Sequence, residues 1–366
     1  MTPIVAFAPA PVRLFGDGLD ELGLSVIALA VDHGTSVTLK PDPRSDTFDL
    51  EPGDVEPRGG EPSNANDGRD DLRAAVAELI GAGARFPSGG RIVARDELGS
   101  RAGGGARTTR LVAILRALIE FAGEGGGRLA DPRRLAELAW RAALRARGTS
   151  LQRADALTSA VGGALHLSFG PTPFVQELAH PGDGLVLVEV EHDDPRDRQE
   201  QSRQAVAAAF ADLREVDPGL DVAAISYEAV WNLLLEARTR AADARSAEQR
   251  ERLVFTMLRA RDLVHAALRA VGEIPFEPAR LGELLDLDHA RLREELDSSA
   301  PRIDALRAAA LAAGALGAKL CATSGELVAY APGREQEVAA AVERLGARAR
   351  CVARSGGARI TSSGRA

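Results

Sequence analysis

The sequence predicts an α+β protein built from two domains, and three observations carry that prediction. The chain has 366 residues, 45% hydrophobic and 27% charged, enough for two ordinary hydrophobic cores. Its first half alternates short apolar runs of strand type with helical stretches. Its second half is a series of long Ala/Leu/Arg/Glu segments that gives way after Leu316 to a strand-strand-helix-strand pattern, as in a domain whose helices cover an antiparallel sheet. Aromatic residues make up only 4% of the chain, so Leu, Val, Ile and Ala must fill the interior.

Taken in order, residues 4–7 and 12–15 read as short strands broken by Pro9 and Pro11 and followed by a Gly-Asp-Gly turn at 16–18. Residues 25–31 form a buried apolar segment, and 36–39 alternate like a strand. From Pro41 to Asp71 the composition shifts to Pro, Gly, Asp and Glu, which marks a surface excursion. A helix is expected over 72–80 and a strand over 91–94. Asp131-Pro132 is a helix start, with the aspartate as cap and the proline at the first helical position, and that helix runs through Trp140 toward Arg147. The segment 154–163 is helical in pattern, and strands follow at 164–169 and 185–191. The charged run EHDDPRDRQEQSR at 191–203 is the best domain boundary, leading into a helix near Arg198. Helices are expected at 198–215, 227–242 and 246–271. Strands at 317–322, 326–331 and 348–354, with a helix at 334–345, complete the tail.

Charge and cysteine content narrow the function classes. The formal net charge is −8, and Lys40 and Lys319 are the only lysines. No basic stripe dominates, so nucleic acid is not an expected partner. Cys321 and Cys351 have neither CxxC spacing nor the density of a disulfide framework, and a reducing cytoplasm suits them. The N-terminus lacks the basic region and long apolar run of a secretory signal. No stretch is apolar for the ~18 residues a membrane span needs. The expected location is cytoplasmic, with no membrane association.

The most informative stretch is Glu97 to Leu118, ELGSRAGGGARTTRLVAILRAL. Gly103, Gly104 and Gly105 are free to turn main-chain N–H groups toward one point, and the helix that follows adds its own unsatisfied donors. Leu111, Ile114, Leu115, Leu118 and Ile119 fall on one helical face, which anchors the glycines to a core. Arg107 and Arg110 then lie near a helix N-terminus, where the dipole disfavours cations unless an anion sits between. The pattern fits a phosphate cradle; it also fits a flexible loop before a helix with solvated arginines. No Walker lysine, GxGxxG spacing, GxSxG elbow or histidine ligand pair is present.

Four regions, in order, resemble the GHMP kinases, the superfamily that includes galactokinase, homoserine kinase and mevalonate kinase. APAPVRLFGDGLDELGLSVIALAVD at 8–32 is similar to the family's opening motif, and the glycine stretch at 99–109 sits where the family has its phosphate loop. GTSLQRADALTSAVGGALHL at 148–167 is similar to the segment around the catalytic aspartate of the sugar-kinase branch. GALGAKL at 314–320, within LDHARLREELDSSAPRIDALRAAALAAGALGAKLCATSGELVAYAP at 287–332, resembles the third motif. The resemblance implies the two-domain GHMP kinase fold. A domain like the second domain of ribosomal protein S5 spans 1–192 and a ferredoxin-like domain spans 193–366, with ATP and acceptor in the cleft between them.

The resemblance also assigns roles. Asp155 aligns with the aspartate that orients or deprotonates the acceptor hydroxyl, although read alone it is also a helix cap. Gly103, Gly104, Gly105, Ala106, Arg107 and Thr108 would hold the ATP phosphates. Asp20 and Asp17 would face the acceptor, a small molecule expected to be a sugar; Asp20 beside glycine turns also reads as a turn residue. The family's magnesium-ligating serine falls near Ala106 or Arg107, leaving Thr108 as the nearest hydroxyl for Mg2+. Its metal-holding glutamate falls at Ala143, and its transition-state arginine at Pro11, with Arg13 close by. In the third motif most glycines are replaced, and Glu326 adds negative charge. Two functions follow: a divergent ATP-dependent sugar kinase whose Arg107 partly replaces the metal's charge, or a catalytically inactive ligand-binding or regulatory protein of the same fold.

Overall fold

The computed structural model describes residues 2–51, 65–96, 103–147, 152–170, 172–181, 183–190, 196–238, 244–296, 298–321 and 325–363. The chain forms two compact units, each drawn from more than one stretch. Unit 1 comprises Met1–Val12, Ala28–Leu165 and Ala353–Ala366; unit 2 comprises Arg13–Ile27 and His166–Val352.

The two short N-terminal strands expected on either side of the prolines are one strand, β1 (Ile4–Phe15). Pro9 and Pro11 are two positions apart, so both missing N–H groups fall on one edge of the strand and the other edge keeps its ladder. The next two segments likewise merge into one long strand, β2 (Val26–Asp42). The surface excursion contributes β3 (Phe48–Glu51) and the start of α1 (Ala65–Gly81), and β4 (Gly89–Asp96) follows. β4 pairs antiparallel with β2, from Thr35 opposite Asp96 to Asp42 opposite Gly89, and parallel with β3.

The helices of unit 1 are α2 (Gly103–Ala122), α3 (Pro132–Arg147) and α4 (Arg153–Val161). Asp131 caps α3 as expected, its Oδ1 accepting from the backbone N–H groups of Arg133 and Arg134 at 3.0 Å. The apolar face read from the α2 sequence is buried in the core of this unit, with Leu111, Ile114, Leu115, Leu118 and Ile119 each at most 2% exposed. Strands β5 (Ala164–Ser168) and β6 (Phe174–Leu178) form a hairpin, and β5 also pairs with β2.

In unit 2, β7 (Leu185–Glu189) is followed by α5 (Arg196–Val216), α6 (Tyr227–Arg238), α7 (Ala244–Gly272), α8 (Pro278–Glu295) and α9 (Pro301–Ala312). The predicted tail appears as β8 (Gly317–Cys321), β9 (Glu326–Tyr330), α10 (Glu335–Glu343) and β10 (Arg348–Val352). These strands and β7 make an antiparallel sheet of order β10-β7-β9-β8. The final strand, β11 (Arg359–Ser362), returns to pair antiparallel with β1 in unit 1. No described helix is long and apolar enough to cross a membrane.

Backbone contact between α8 and β8 sets a local requirement. A Cβ on Gly282 would overlap the Leu316 carbonyl, and one on Gly317 would overlap the carbonyl of Gly282. Gly282→Ala is therefore expected to destabilise unit 2 by about 1–3 kcal/mol through forced separation of the two elements. Urea unfolding measures it, and a loss below about 0.5 kcal/mol, the range of ordinary surface changes, would contradict the packing described.

Candidate functional site

Unit 1 contains the glycine stretch and Asp155. The three glycines are not a loop ahead of the helix. Gly103 to Gly105 form its first turn, so Arg107 and Arg110 sit further along it than the sequence reading placed them. Residues 97–102, the rest of the expected phosphate loop, lie outside the described residues. The first-turn N–H groups of a helix have no intrahelical acceptor, and a Cβ on Gly105 would meet nothing within 4 Å. This end of α2 therefore offers donors that no described side chain crowds at Gly105.

A chain of hydroxyls fixes that end of the helix to the sheet. Thr35 Oγ1 donates to Asp96 Oδ1 at 2.5 Å and lies 2.7 Å from Thr109 Oγ1, and Thr109 Oγ1 also lies 3.0 Å from the Ala106 carbonyl. Thr35 and Thr109 are fully buried, so these bonds are shielded from water.

Arg107 is committed elsewhere. Its Nε donates to Asp71 Oδ2 at 3.0 Å and its Nη2 to Asp71 Oδ1 at 2.7 Å, a bidentate pair whose aspartate side chain is 4% exposed. Nη2 also reaches the carbonyl of Ala143 at 3.5 Å. The guanidinium thus stands beside the position where the resemblance would put a metal-holding glutamate, and Asp71 on α1 holds it there.

Asp155 lies in the first turn of α4, and it is not the helix cap. The N-cap is Gln152, and the Asp155 backbone N–H donates to the Gln152 carbonyl at 3.1 Å. The aspartate is 5% exposed, and the helix dipole favours its negative charge at this end. α4 packs against α2, the helix that carries the glycine turn, within unit 1.

The acceptor-side candidates belong to unit 2, where both aspartates are buried in ion pairs. Arg13 Nη1 donates to Asp20 Oδ1 at 2.7 Å, with side-chain exposures of 0% and 2%. Asp17 Oδ2 accepts from Lys319 Nζ at 2.6 Å, and Lys319 also donates to Asp288 Oδ2 at 2.7 Å and the Leu14 carbonyl at 3.0 Å. Arg291 Nε donates to Asp288 Oδ1 at 2.9 Å. Burial pushes the Asp288 carboxyl up, but Arg291 and Lys319 outweigh it and hold the group down at about 2. Burial likewise lowers the Lys319 ammonium, and Asp17 and Asp288 reverse that, so it is held above its ordinary value. Three buried cations and three buried carboxylates thus balance around the turn at 14–20.

Sequence reasoning singled out Asp17, Asp20, Arg13 and Arg107 but missed Lys319 as the partner of Asp17, Asp288 behind Lys319, and Asp71 as the partner of Arg107. One signal was available: in a chain whose cations are nearly all arginine, a lysine sits inside the GALGAKL segment. An ammonium is compact enough to be closed in by two carboxylates and a carbonyl.

The residues present can be set against the groups a GHMP kinase would hold. The open, donor-rich end of α2 fits an anionic group such as a phosphate. Among the described residues, the positions that the resemblance assigns to a metal do not supply a ligand for magnesium. Thr108 is 1% exposed, Ala143 has no ligand atom, and no three His, Cys, Asp or Glu side chains stand together to hold a metal among the described residues.

No known sequence family matches this chain, and no curated protein resembles it in sequence. Solved structures do resemble it in fold. Lactococcus lactis galactokinase in complex with galactose is similar with a TM-score of 0.76 at 15% identity, over 98% of this chain and 95% of that one. Methanococcus jannaschii mevalonate kinase gives 0.64 at 15% identity, over 97% and 98%. Homoserine kinase from Cytophaga hutchinsonii gives 0.57 at 16% identity, over 98% of both chains. The chain has the α+β fold of the GHMP kinases across nearly its whole length.

Proposed function

We propose that this protein is an ATP-dependent kinase that acts in the cytoplasm and transfers a phosphoryl group to an alcohol, the hydroxyl of a sugar. The observation that supports this reading is Asp155, a buried carboxylate in the first turn of α4, a helix that packs against α2, in a fold similar over its length to a galactokinase solved with galactose. ATP supplies the phosphoryl group. The amides of Gly103, Gly104 and Gly105 bind its phosphate oxygens at the start of the helix on which Asp71 holds Arg107. Asp155 accepts a hydrogen bond from the acceptor hydroxyl and takes its proton as the new P–O bond forms. Asp17 and Asp20 shape the acceptor-side turn through their ion pairs rather than as free carboxylates.

A second reading, a non-catalytic protein of the same fold, is favoured by one specific feature. Arg107, Asp17 and Asp20, the charged groups that would meet ligands, are already neutralised within the protein.

Acceptor-dependent ADP release across hexoses, pentoses, sugar phosphates, mevalonate and homoserine separates the two. The kinase reading expects release with at least one acceptor and saturable ATP binding by calorimetry. Absence of ATP binding, with or without magnesium, together with no turnover on any acceptor, would establish the non-catalytic reading.

A further inference from the structure

Helix α6 carries a stripe of large apolar side chains on its solvent side. Tyr227, Trp231 and Leu235 recur at every fourth position and are 38%, 44% and 44% exposed, whereas Val230, Leu234 and Ala237 on the adjoining face are buried. Of the exposed large apolar side chains among the described residues, these three alone share one element. The chain has only two tryptophans and two tyrosines, and one of each stands here in water. An apolar partner would relieve the cost of hydrating them.

The stripe is held in place by α7. Phe255 stacks with Tyr227 at a centroid distance of 6.0 Å, with 1° between the ring planes, and with Trp231 at 6.1 Å and 30°. Tyr227 Oη donates to Asp262 Oδ2 at 2.8 Å. Rings fixed in this way lose little freedom when a partner covers them. Charge brackets the same face. Glu228 lies in the first turn of α6 and Arg238 in the last, both exposed. At 3.6 residues per turn, these two and the three apolar residues share about 100° of the helix circumference. The Arg238 guanidinium makes only a loose ion pair with Glu251, at 3.8 Å.

We propose that this face of α6 binds the same face of a second copy of this chain, with the two helices antiparallel about a two-fold axis at Leu233. The face is self-complementary in that arrangement. Leu233 is midway between Glu228 and Arg238 and also midway between Trp231 and Leu235, so one rotation sets Glu228 against the partner's Arg238 and Trp231 against the partner's Leu235, each contact made twice. A parallel pairing would set Glu228 on Glu228 and Arg238 on Arg238, so charge selects the antiparallel one, which also opposes the helix dipoles. The row of Tyr227, Trp231 and Leu235 is a ridge of the kind that packs into the groove of another helix at about 8–10 Å between axes, a gap that Glu and Arg side chains span. A helix of 12 residues supplies less than the ~800 Å² per partner of a standard interface, so the expected dissociation constant is micromolar. The interface involves neither α2 nor α4 and does not depend on the kinase reading.

Sedimentation equilibrium of the full chain from about 1 to 100 µM tests this, and a monomer–dimer equilibrium is the expected result. Trp231→Glu should weaken association about thirtyfold or more. Leu235→Lys repeats the test at a position outside the Phe255 stack, and an unchanged urea midpoint in either variant separates lost association from lost folding. Glu228→Arg and Arg238→Glu should each weaken the dimer about threefold to tenfold, and the variant carrying both should return to within about twofold of the parent, because the reversed charges again meet in opposite pairs. A parent that stays monomeric over the whole range, a dimer that Trp231→Glu and Leu235→Lys leave intact, or a double reversal that fails to restore association would overturn the proposal.

Discussion

Lys319→Met is expected to lower the stability of the protein by about 3–5 kcal/mol, because it leaves Asp17 and Asp288 charged and buried with one fewer cation between them. Against a typical total of about 5–15 kcal/mol, that is a large fraction. The loss measures what breaking the pair costs and not what the pair contributes over an apolar replacement. A double variant, Lys319→Met with Asp17→Asn, should therefore recover part of it.

The pH dependence gives a second signature. In the intact protein Asp288 titrates at about 2, below its ordinary 3.8, so its contribution is present above that ordinary value and is lost as pH falls toward 2. Lys319 is shifted upward, so its contribution is present below its ordinary 10.5 and is lost only as pH rises past its folded value. In Lys319→Met the stranded Asp288 loses one of the cations that hold its pKa down and is easier to protonate, so the deficit relative to the parent should narrow as pH is lowered from 5 toward 3. Urea unfolding across this range measures both effects. A loss below about 1 kcal/mol at pH 7, the scale of a surface pair, would show that the cluster is hydrated and not buried as described.

Asp155→Asn is expected to reduce acceptor-dependent ADP release by about 10²–10⁴-fold while leaving ATP affinity within about twofold. Asparagine keeps the shape of the side chain, so the fold and the α4 start are preserved, but it cannot take a proton. The first-turn position matters here. The dipole of α4 favours negative charge at this end of the helix. Full activity in the variant would remove Asp155 from the mechanism, and a parallel loss of ATP binding would indicate a structural role.

Much of the architecture was legible because it is local. The α2 face at Leu111, Ile114 and Leu118 and the Asp131 cap of α3 follow from residues within a turn or two of each other. The tail strands β8, β9 and β10 and the helix between them were legible for the same reason. Where the reading erred, the cause was context: Pro9 and Pro11 suggested a break that β1 avoids by keeping both on one edge, and Gly103 to Gly105 suggested a loop that the structure winds into α2. β6 and β11 carry weak apolar patterns because they are largely exposed, and hairpin or edge pairing rather than alternation defines them.

The candidate site divides along the same line. Asp155, the glycine turn, Asp17, Asp20 and Arg107 were named from the order and spacing of residues. What those charges face was not. Lys319 meets Asp17 across 302 positions of chain, and Arg107 meets Asp71 across 36. Periodicity and turn chemistry act over a few residues, so the sequence alone determined the α+β class, the helical faces and the candidate residues. Ion pairing acts wherever the folded chain brings charges within a few ångströms, so only the tertiary structure decided that Asp17 and Asp20 are neutralised and that Arg107 is held by Asp71.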